Sequence, residues 1–170
     1  ATSLQNFISQ LRKTLGADVL VTKPPGYALA IRLEQVDLTR FRHLVATARA
    51  AAEAAQRASL MREALDLWRG APLADFEFEP FAQPEIARLK EERLAAIEER
   101  IDADLEAGRH AEIVGEVEAL VDRHPTRERL RAHLMLALYR SGRQTEALDV
   151  YQDARRTLVD QLGIEPGRDL

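Results

Sequence analysis

The sequence predicts a mainly α protein with one short β-hairpin near its N-terminus, and three observations lead to this prediction. Hydrophobic residues make up 46% and charged residues 31% of the 170 residues, whereas aromatic residues make up only 5%, a balance that favours packed helices. Long stretches, such as 27–69 and 85–107, lack glycine and proline, the residues that most often end helices. A Gly-Arg dipeptide occurs at 108–109 and again 34 residues later at 142–143.

Residues 1–31 are predicted to form a helix followed by a hairpin. Apolar side chains recur there at the spacing of one helix face, and Gly16 ends the pattern; they are Leu4, Phe7, Ile8, Leu11 and Leu15. Two runs rich in β-branched and apolar residues then flank a turn, in which Pro25-Gly26 suits the central positions of a type II turn. Lys23 is expected near the tip of this hairpin.

From Asp37 onward the sequence predicts only helices. Asp37 is a suitable N-cap for a helix that ends at about residue 54, and a second helix is expected from about residue 56 to about residue 69. Pro84 is expected to open a long helix to about residue 107, because proline is favoured in the first turn. Further helices are predicted at roughly 110–123, 127–141 and 144–161, and another begins near the C-terminus.

The two Gly-Arg dipeptides each lie between two predicted helices. A period of 34 residues is that of the tetratricopeptide repeat, which has two antiparallel helices per unit. In the second copy, Ala147 and Tyr151 provide the small and aromatic residues of that repeat, whereas Ile113 and Val117 replace them in the first copy. We therefore predict a tetratricopeptide-like array, with an irregular α-bundle as the alternative.

Three phenylalanines, Phe76, Phe78 and Phe81, lie in the predicted loop 70–83. Apolar residues in such a loop more often fold inward and cap the bundle, and this is the interpretation that we favour. An exposed docking patch is the alternative.

The sequence offers no catalytic or metal-binding pattern. It contains no cysteine, which excludes disulfides, thiolate metal sites and cysteine catalysis. The four histidines lack the spacing of a helical zinc site, and neither a phosphate-binding loop nor a nucleophile elbow is present. No apolar stretch is long enough to span a membrane. We therefore expect a cytoplasmic protein that is not an enzyme, with no catalytic residues, no cofactor, no metal and no membrane partner.

Charge is distributed unevenly along the chain. Residues 1–31 carry three basic side chains and one acidic side chain, a net charge of +2, whereas residues 32–170 carry 21 basic and 27 acidic side chains, a net charge of −6. This asymmetry indicates two parts with different partners.

The first predicted helix carries a polar face opposite its apolar stripe. Its members are Thr2, Gln5, Asn6, Ser9, Arg12 and Lys13. Amides and hydroxyls can reach base edges in a major groove, while arginine and lysine neutralise phosphates; Lys23 would meet the adjacent DNA backbone or minor groove. The residues alone favour an ordinary amphipathic surface helix before a hairpin, and a DNA-reading helix is the alternative.

Several sequence elements, taken together, resemble a known family. Residues 2–16 and 20–29 resemble the recognition helix and wing that end an OmpR-type winged helix. The later elements Trp68-Arg69-Gly70 and Gly-Ile-Glu-Pro-Gly at 163–167 are specific in their order and spacing. They resemble the bacterial transcriptional activation domain of the Streptomyces antibiotic regulatory protein (SARP) family. The resemblance implies a partial winged-helix DNA-binding domain at 1–31 and a tetratricopeptide-like activation domain at 32–170.

This resemblance implies a transcriptional activator that binds promoter DNA through the winged helix and uses its helical domain to dimerise and to contact RNA polymerase. It implies that Thr2, Gln5, Asn6 and Ser9 face bases and that Arg12, Lys13 and Lys23 hold phosphates. The sheet and two helices that precede a recognition helix are missing, so we expect the chain to be a piece of a longer protein. The alternative is a protein-interaction or signal-relay module that does not itself bind DNA.

Overall fold

The structure, a computed structural model, describes residues 2–168 and 170, apart from the side chains of Thr2 and Ser3. Over these residues it contains seven α-helices and one two-stranded antiparallel sheet, which confirms the predicted mainly α fold. The chain divides into two compact units, residues 1–43 and residues 44–170. The domain assignment of 1–31 and 32–170 stays a prediction.

The first unit begins with the predicted helix and hairpin. Helix α1 spans Thr2–Leu15, strand β1 spans Leu20–Lys23 and strand β2 spans Gly26–Leu29. The antiparallel pairing runs from Leu20 opposite Leu29 to Lys23 opposite Gly26.

The predicted type II turn at Pro25-Gly26 is wrong. Gly26 is already paired with Lys23 across the hairpin, so Pro24 and Pro25 form the loop, with a cis peptide bond between them. The turn is therefore centred one residue earlier than predicted, because Gly26 is taken up by the strand.

Six helices follow: α2 (Asp37–Ala50), α3 (Ala54–Leu65), α4 (Gln83–Glu106), α5 (His110–Arg123), α6 (Glu128–Arg140) and α7 (Gln144–Leu162). Short 3-10 helices lie at Leu33–Gln35 and Ala74–Phe76. The last four α-helices begin and end within about two residues of their predicted bounds. The joint between α2 and α3 comes earlier than predicted, since neither glycine nor proline marks it.

The 34-residue repeat is present in the backbone. Gly108 and Gly142 have φ angles of 80° and 79°, the left-handed conformation that glycine adopts without steric cost. In both copies the N–H of the following arginine, Arg109 or Arg143, donates to the carbonyl oxygen five residues back at 2.9 Å. This bond is part of a Schellman helix end, and it closes the α4–α5 and α6–α7 turns in the same way.

The core of the second unit lies between the repeat helices. Its most fully buried apolar side chains include Ile101 of α4, Val117 of α5, Leu130 and Leu138 of α6, and Leu158 of α7. Helix α6 packs against both α5 and α7, while α3 packs against α4. Each helix therefore turns its apolar stripe towards its neighbours, as expected of an amphipathic array.

Candidate nucleic-acid interface

The polar face of α1 is accessible over its described side chains. Gln5, Asn6, Ser9 and Lys13 are all exposed. With 3.6 residues per turn they lie within an arc of about 100° on one side of the helix. The structure therefore brings these four predicted site residues together. Thr2 begins the same helix, but its side chain lies outside the described part of the chain.

The opposite face of α1 is apolar and mostly uncovered. Ile8 is buried, whereas Leu4 and Phe7 are 58% and 61% exposed and Leu11 and Leu15 are also exposed. Exposed apolar stripes of this kind are typical of faces that contact another surface.

Arg12 links α1 to the hairpin. Its Nε donates to the carbonyl oxygen of Leu20 at 2.7 Å, and its Nη2 donates to Oγ1 of Thr22 at 2.9 Å. The guanidinium also lies 5.7 Å from the centre of the Tyr27 ring, within the range of a cation–π contact. The phosphate contact predicted for Arg12 stays a prediction, and the structure adds a positioning role that sequence reasoning missed.

The two predicted lysines are placed differently from Arg12. Lys13 lies in the last turn of α1, where a cation also offsets the helix dipole. Lys23 ends β1 beside the hairpin loop, as expected, and its side chain is exposed. Lys13 therefore presents its charge to solvent at the edge of the polar face, and Lys23 presents its charge at the tip of the hairpin.

Thr22 and Tyr27 are the residues of this unit that sequence reasoning did not identify. They lie directly opposite each other in the hairpin, and both contact Arg12. The sequence signal that could have identified Thr22 is the alternation of side chains along β1, which places Leu20 and Thr22 on the same face of the strand. The contact itself depends on how α1 docks, which local spacing does not encode.

The helical unit contains a buried carboxylate held by three arginines. Asp104 of α4 is fully buried and accepts hydrogen bonds from Arg62 of α3 at 2.5 Å, Arg100 at 2.6 Å and Nε of Arg109 at 2.8 Å. Burial of a charge is tolerated only with such pairing. The arginine of the first Gly-Arg dipeptide thus has a structural role.

Charged pairs also tie α4 to α6. Arg127 donates to both carboxylate oxygens of Glu98, at 2.9 and 3.1 Å, and this hydrogen bonding raises the pKa of Arg127. The Asp102 carboxylate accepts hydrogen bonds from Nε2 of His133 at 2.7 Å and from Arg129 at 2.6 Å. Burial opposes ionisation of Asp102, but these two partners together outweigh it and lower its pKa.

A polar cleft of about 480 Å³ lies between α5, α6 and α7. Its buried cation, Arg131, donates to the carbonyl oxygen of Pro125 at 2.8 Å and to Oγ1 of Thr157 at 3.2 Å. Burial lowers the pKa of Arg131, although the carboxylates of Asp153 and Asp122 partly oppose this effect. The cation at the base of the cleft is therefore already engaged within the protein.

The preferred prediction for the three phenylalanines is wrong. Phe76, Phe78 and Phe81 are 45%, 91% and 73% exposed, so they do not cap the bundle. The buried residues nearest to them in the chain are Ala82 and Ile86. Ala82 is the last residue of the loop before α4 begins at Gln83. The chain thus reaches the core through Ala82 rather than through an aromatic ring.

Within residues 2–168 and 170, no group of three histidine, aspartate or glutamate side chains is arranged to hold a metal ion. Over the same residues, none of the helices combines the length and apolar character needed to cross a bilayer.

Known proteins match nearly the full length of the chain. A family model described as bacterial transcriptional activator domain matches residues 36–170. The regulatory protein AfsR of Streptomyces griseus is 47% identical over 171 residues, covering 99% of this chain and 18% of AfsR. The regulatory protein DnrI of Streptomyces peucetius is 40% identical over 179 residues, covering 97% of this chain and 66% of DnrI.

One solved structure, Mycobacterium tuberculosis EmbR in complex with a low affinity phosphopeptide, matches with a TM-score of 0.88 and 36% identity. The match covers 99% of this chain and 47% of that chain. The chain thus spans about a fifth of AfsR, two thirds of DnrI and half of EmbR. AfsR and DnrI are regulatory proteins, and EmbR is a transcriptional regulatory protein. The chain belongs to the bacterial transcriptional activator domain family and is similar to regulatory proteins of the SARP type.

Proposed function

We propose that this chain is part of a transcriptional activator in which α1 and the hairpin read promoter DNA. The helical array would serve dimerisation and contact with RNA polymerase. The observation that carries the DNA-reading part is the α1–hairpin unit, where an exposed polar face ends in basic residues and Arg12 fixes the helix to the hairpin. A recognition helix in the major groove needs this combination of reading groups and fixed orientation.

The roles on DNA follow from side-chain chemistry. Gln5, Asn6 and Ser9 face base edges, where an amide can pair with adenine through two hydrogen bonds. Lys13 and Lys23 hold phosphates by charge. In Arg12, Nη1 and one Nη2 hydrogen remain for a phosphate, because the other donors bind the hairpin.

The uncovered apolar stripe of α1 supports the proposal that α1 completes a larger winged-helix domain. Leu4, Phe7 and Leu11 would pack on the sheet and helices of that domain, and α1 would then be held firmly enough to read a groove. DNA affinity is therefore expected to depend on that additional protein surface, which the described residues do not provide.

The proposed partners are promoter DNA with direct repeats, RNA polymerase and a second copy of the protein. The proposed location of the protein is the cytoplasm. The family description and the regulatory relatives support this assignment. The helical array has a net negative charge, so DNA contact is assigned to the basic first unit and protein contact to the array.

A second candidate function is a protein-interaction or signal-relay module. The exposure of Phe76, Phe78 and Phe81 favours it, and helical repeats generally bind peptides or neighbouring domains. In this case the chain would relay signals without itself holding DNA.

A titration on direct-repeat promoter DNA separates the two functions. It compares this chain with one that carries the sheet and two helices of a winged-helix domain fused before α1. We expect tight binding by the extended chain and weak binding by the shorter one. In the extended chain, Lys13→Ala should weaken binding on every DNA sequence, whereas Lys90→Ala, which removes an exposed lysine of α4, should not. Binding by neither chain would contradict DNA reading and favour the interaction module.

A further inference from the structure

The polar cleft between α5, α6 and α7 contains charged groups of both signs that are not paired with each other. Its volume of about 480 Å³ lies within the usual range of ligand-binding pockets, about 300–1,000 Å³. Arg131 lies at its base, while Asp122 of α5 and Asp160 of α7 line it with exposed side chains. Among the described residues, neither of these aspartates has a hydrogen-bond or ion-pair partner.

Arg131 is a buried cation whose hydrogen bonds go to neutral acceptors. It is only 5% exposed. Of the five N–H donors of an arginine, Nε binds the carbonyl oxygen of Pro125 and one Nη2 hydrogen binds Oγ1 of Thr157. Arg131 forms no ion pair with a described carboxylate, and burial lowers its pKa. Because burial of a cation without a counter-ion costs free energy, an anionic group that reaches the unused donors would bind favourably.

The charges that line the cleft limit what it can bind. Asp153 and Arg156 also line it, but they pair with each other. A simple anion is disfavoured because Asp122 and Asp160 repel it, and a simple cation is disfavoured because Arg131 repels it. A molecule with one carboxylate and two cationic groups balances the remaining charges of the cleft. This is the charge pattern of a basic α-amino acid.

We propose that this cleft is a binding site for a free basic α-amino acid. The carboxylate of the ligand accepts hydrogen bonds from the unused N–H groups of Arg131, while its α-ammonium group and its side-chain cation pair with Asp122 and Asp160. These three residues belong to three different helices, so the ligand joins α5, α6 and α7. The site goes beyond the proposed function, which assigns promoter reading to α1 and the hairpin and gives the cleft no part.

Titration of the ¹⁵N-labelled chain with L-lysine, L-ornithine and L-arginine tests the site, with amide chemical shifts as the readout. At least one of these probes should give saturable shifts at Thr157 and Gln161, which line the cleft. Lysine methyl ester has no carboxylate for the buried cation, so it should bind at least about tenfold more weakly than lysine. Norleucine lacks the side-chain ammonium group and should bind about two- to fivefold more weakly, the loss of one exposed ion pair.

Variants of the cleft locate the binding. Asp122→Asn and Asp160→Asn should each weaken binding about two- to fivefold and keep the thermal unfolding midpoint, because both side chains are exposed. Asp149→Asn is the matched control, since it removes an exposed carboxylate of α7 that does not line the cleft, and it should leave binding unchanged. Arg131→Met should abolish binding; if this buried change prevents folding, the aspartate variants and the methyl ester still test the site.

Four outcomes would overturn the proposal. Absence of saturable shifts with all three probes would show that the cleft is not a site for basic amino acids. Equal weakening by Asp149→Asn and Asp160→Asn would show binding to the acidic surface in general. Equal affinity for lysine and its methyl ester would show that no carboxylate reaches Arg131. Equal affinity for lysine and Nα-acetyl-lysine would assign the site to the C-terminal residue of a peptide rather than to a free amino acid. Promoter reading is tested separately by the DNA titration, whose result does not depend on these outcomes.

Discussion

The guanidinium of Arg12 donates a hydrogen bond to the carbonyl oxygen of Leu20 at 2.7 Å, so a cation of α1 holds the helix against the first strand of the hairpin. A second bond reaches Thr22. Two elements that read DNA together must keep a fixed relative orientation, because a small misplacement weakens every contact that follows. In the proposed DNA complex, Arg12 would contribute both through its charge and through this fixed geometry.

Replacement of Arg12 by lysine separates these two contributions. Lysine keeps the charge but cannot reproduce the forked pair of hydrogen bonds, so the helix–hairpin unit should lose about 1–3 kcal/mol. Hydrogen exchange at the amide of Ala30, which is bonded to the carbonyl oxygen of Val19 at 2.8 Å, should accelerate. Lys13→Arg is the control and should leave this exchange rate unchanged. Equal exchange in Arg12→Lys and wild type would show that the two bonds do not hold the hairpin.

Arg12→Ala removes both the bonds and the charge. In the N-terminally extended chain, this change should reduce affinity for every DNA sequence and flatten its salt dependence. Fluorescence anisotropy at several salt concentrations measures both quantities. An unchanged affinity together with an unchanged salt slope would show that this face of α1 does not meet DNA.

Asp104→Asn tests the buried charge cluster. The change leaves Arg62, Arg100 and Arg109 around a neutral amide, and breaking a buried pair in this way costs about 3–5 kcal/mol. Urea unfolding measures the loss. Asp149→Asn, at an exposed position of α7, should change stability by less than about 0.5 kcal/mol. A loss at Asp104 no larger than at Asp149 would contradict a structural role for the cluster.

Gly142→Ala and Gly115→Ala should have opposite effects. Gly142 has a φ angle of 79°, which a residue with a Cβ adopts at a cost of about 1–2 kcal/mol. Gly115 lies within α5 with open space around it, so alanine there should stabilise the helix by about 0.5–1 kcal/mol. Thermal unfolding shows whether each variant is more or less stable than the wild type. Stabilisation by Gly142→Ala would contradict the assigned helix end.

The pair formed by Asp102 and His133 predicts a pH dependence. The pKa of Asp102 is lowered in the folded protein, so the ionised carboxylate stabilises the fold. This contribution is full above the pKa of the unfolded chain, about 4, and is lost as pH falls through the folded-state pKa. Asp102→Asn should therefore destabilise the protein at pH 7 and lose that effect as pH falls below about 4. Urea unfolding across this range measures the difference, and a constant difference at every pH would contradict the pairing.

The sequence predicts the parts of this fold that depend on local spacing. The ends of α4, α5, α6 and α7 follow from glycine, proline and apolar periodicity, and the 34-residue repeat reappears in matched hydrogen bonds at Gly108 and Gly142. The polar face of α1 is predictable for the same reason, since helical geometry places residues three and four apart on one side.

Features that depend on more than the spacing of apolar residues, glycine and proline were not predictable. The hairpin turn lies one residue earlier than predicted, because Gly26 pairs with Lys23. The phenylalanines are exposed in a loop that is held by its own backbone hydrogen bonds. Arg12 bonds to the hairpin, and Arg62 of α3 bonds to Asp104 of α4. Because these partners lie in other elements, tertiary packing decides how Arg12 is held and which carboxylate is buried.

The most direct test of promoter reading compares specific with unrelated DNA in the N-terminally extended chain. We expect Asn6→Ala to reduce the ratio of specific to unrelated affinity, since an amide contact to a base is worth about 1–3 kcal/mol of discrimination. Lys13→Ala should lower both affinities alike and reduce the salt slope by about one. If Asn6→Ala leaves the ratio unchanged while the protein still distinguishes its promoter, the polar face of α1 does not read DNA.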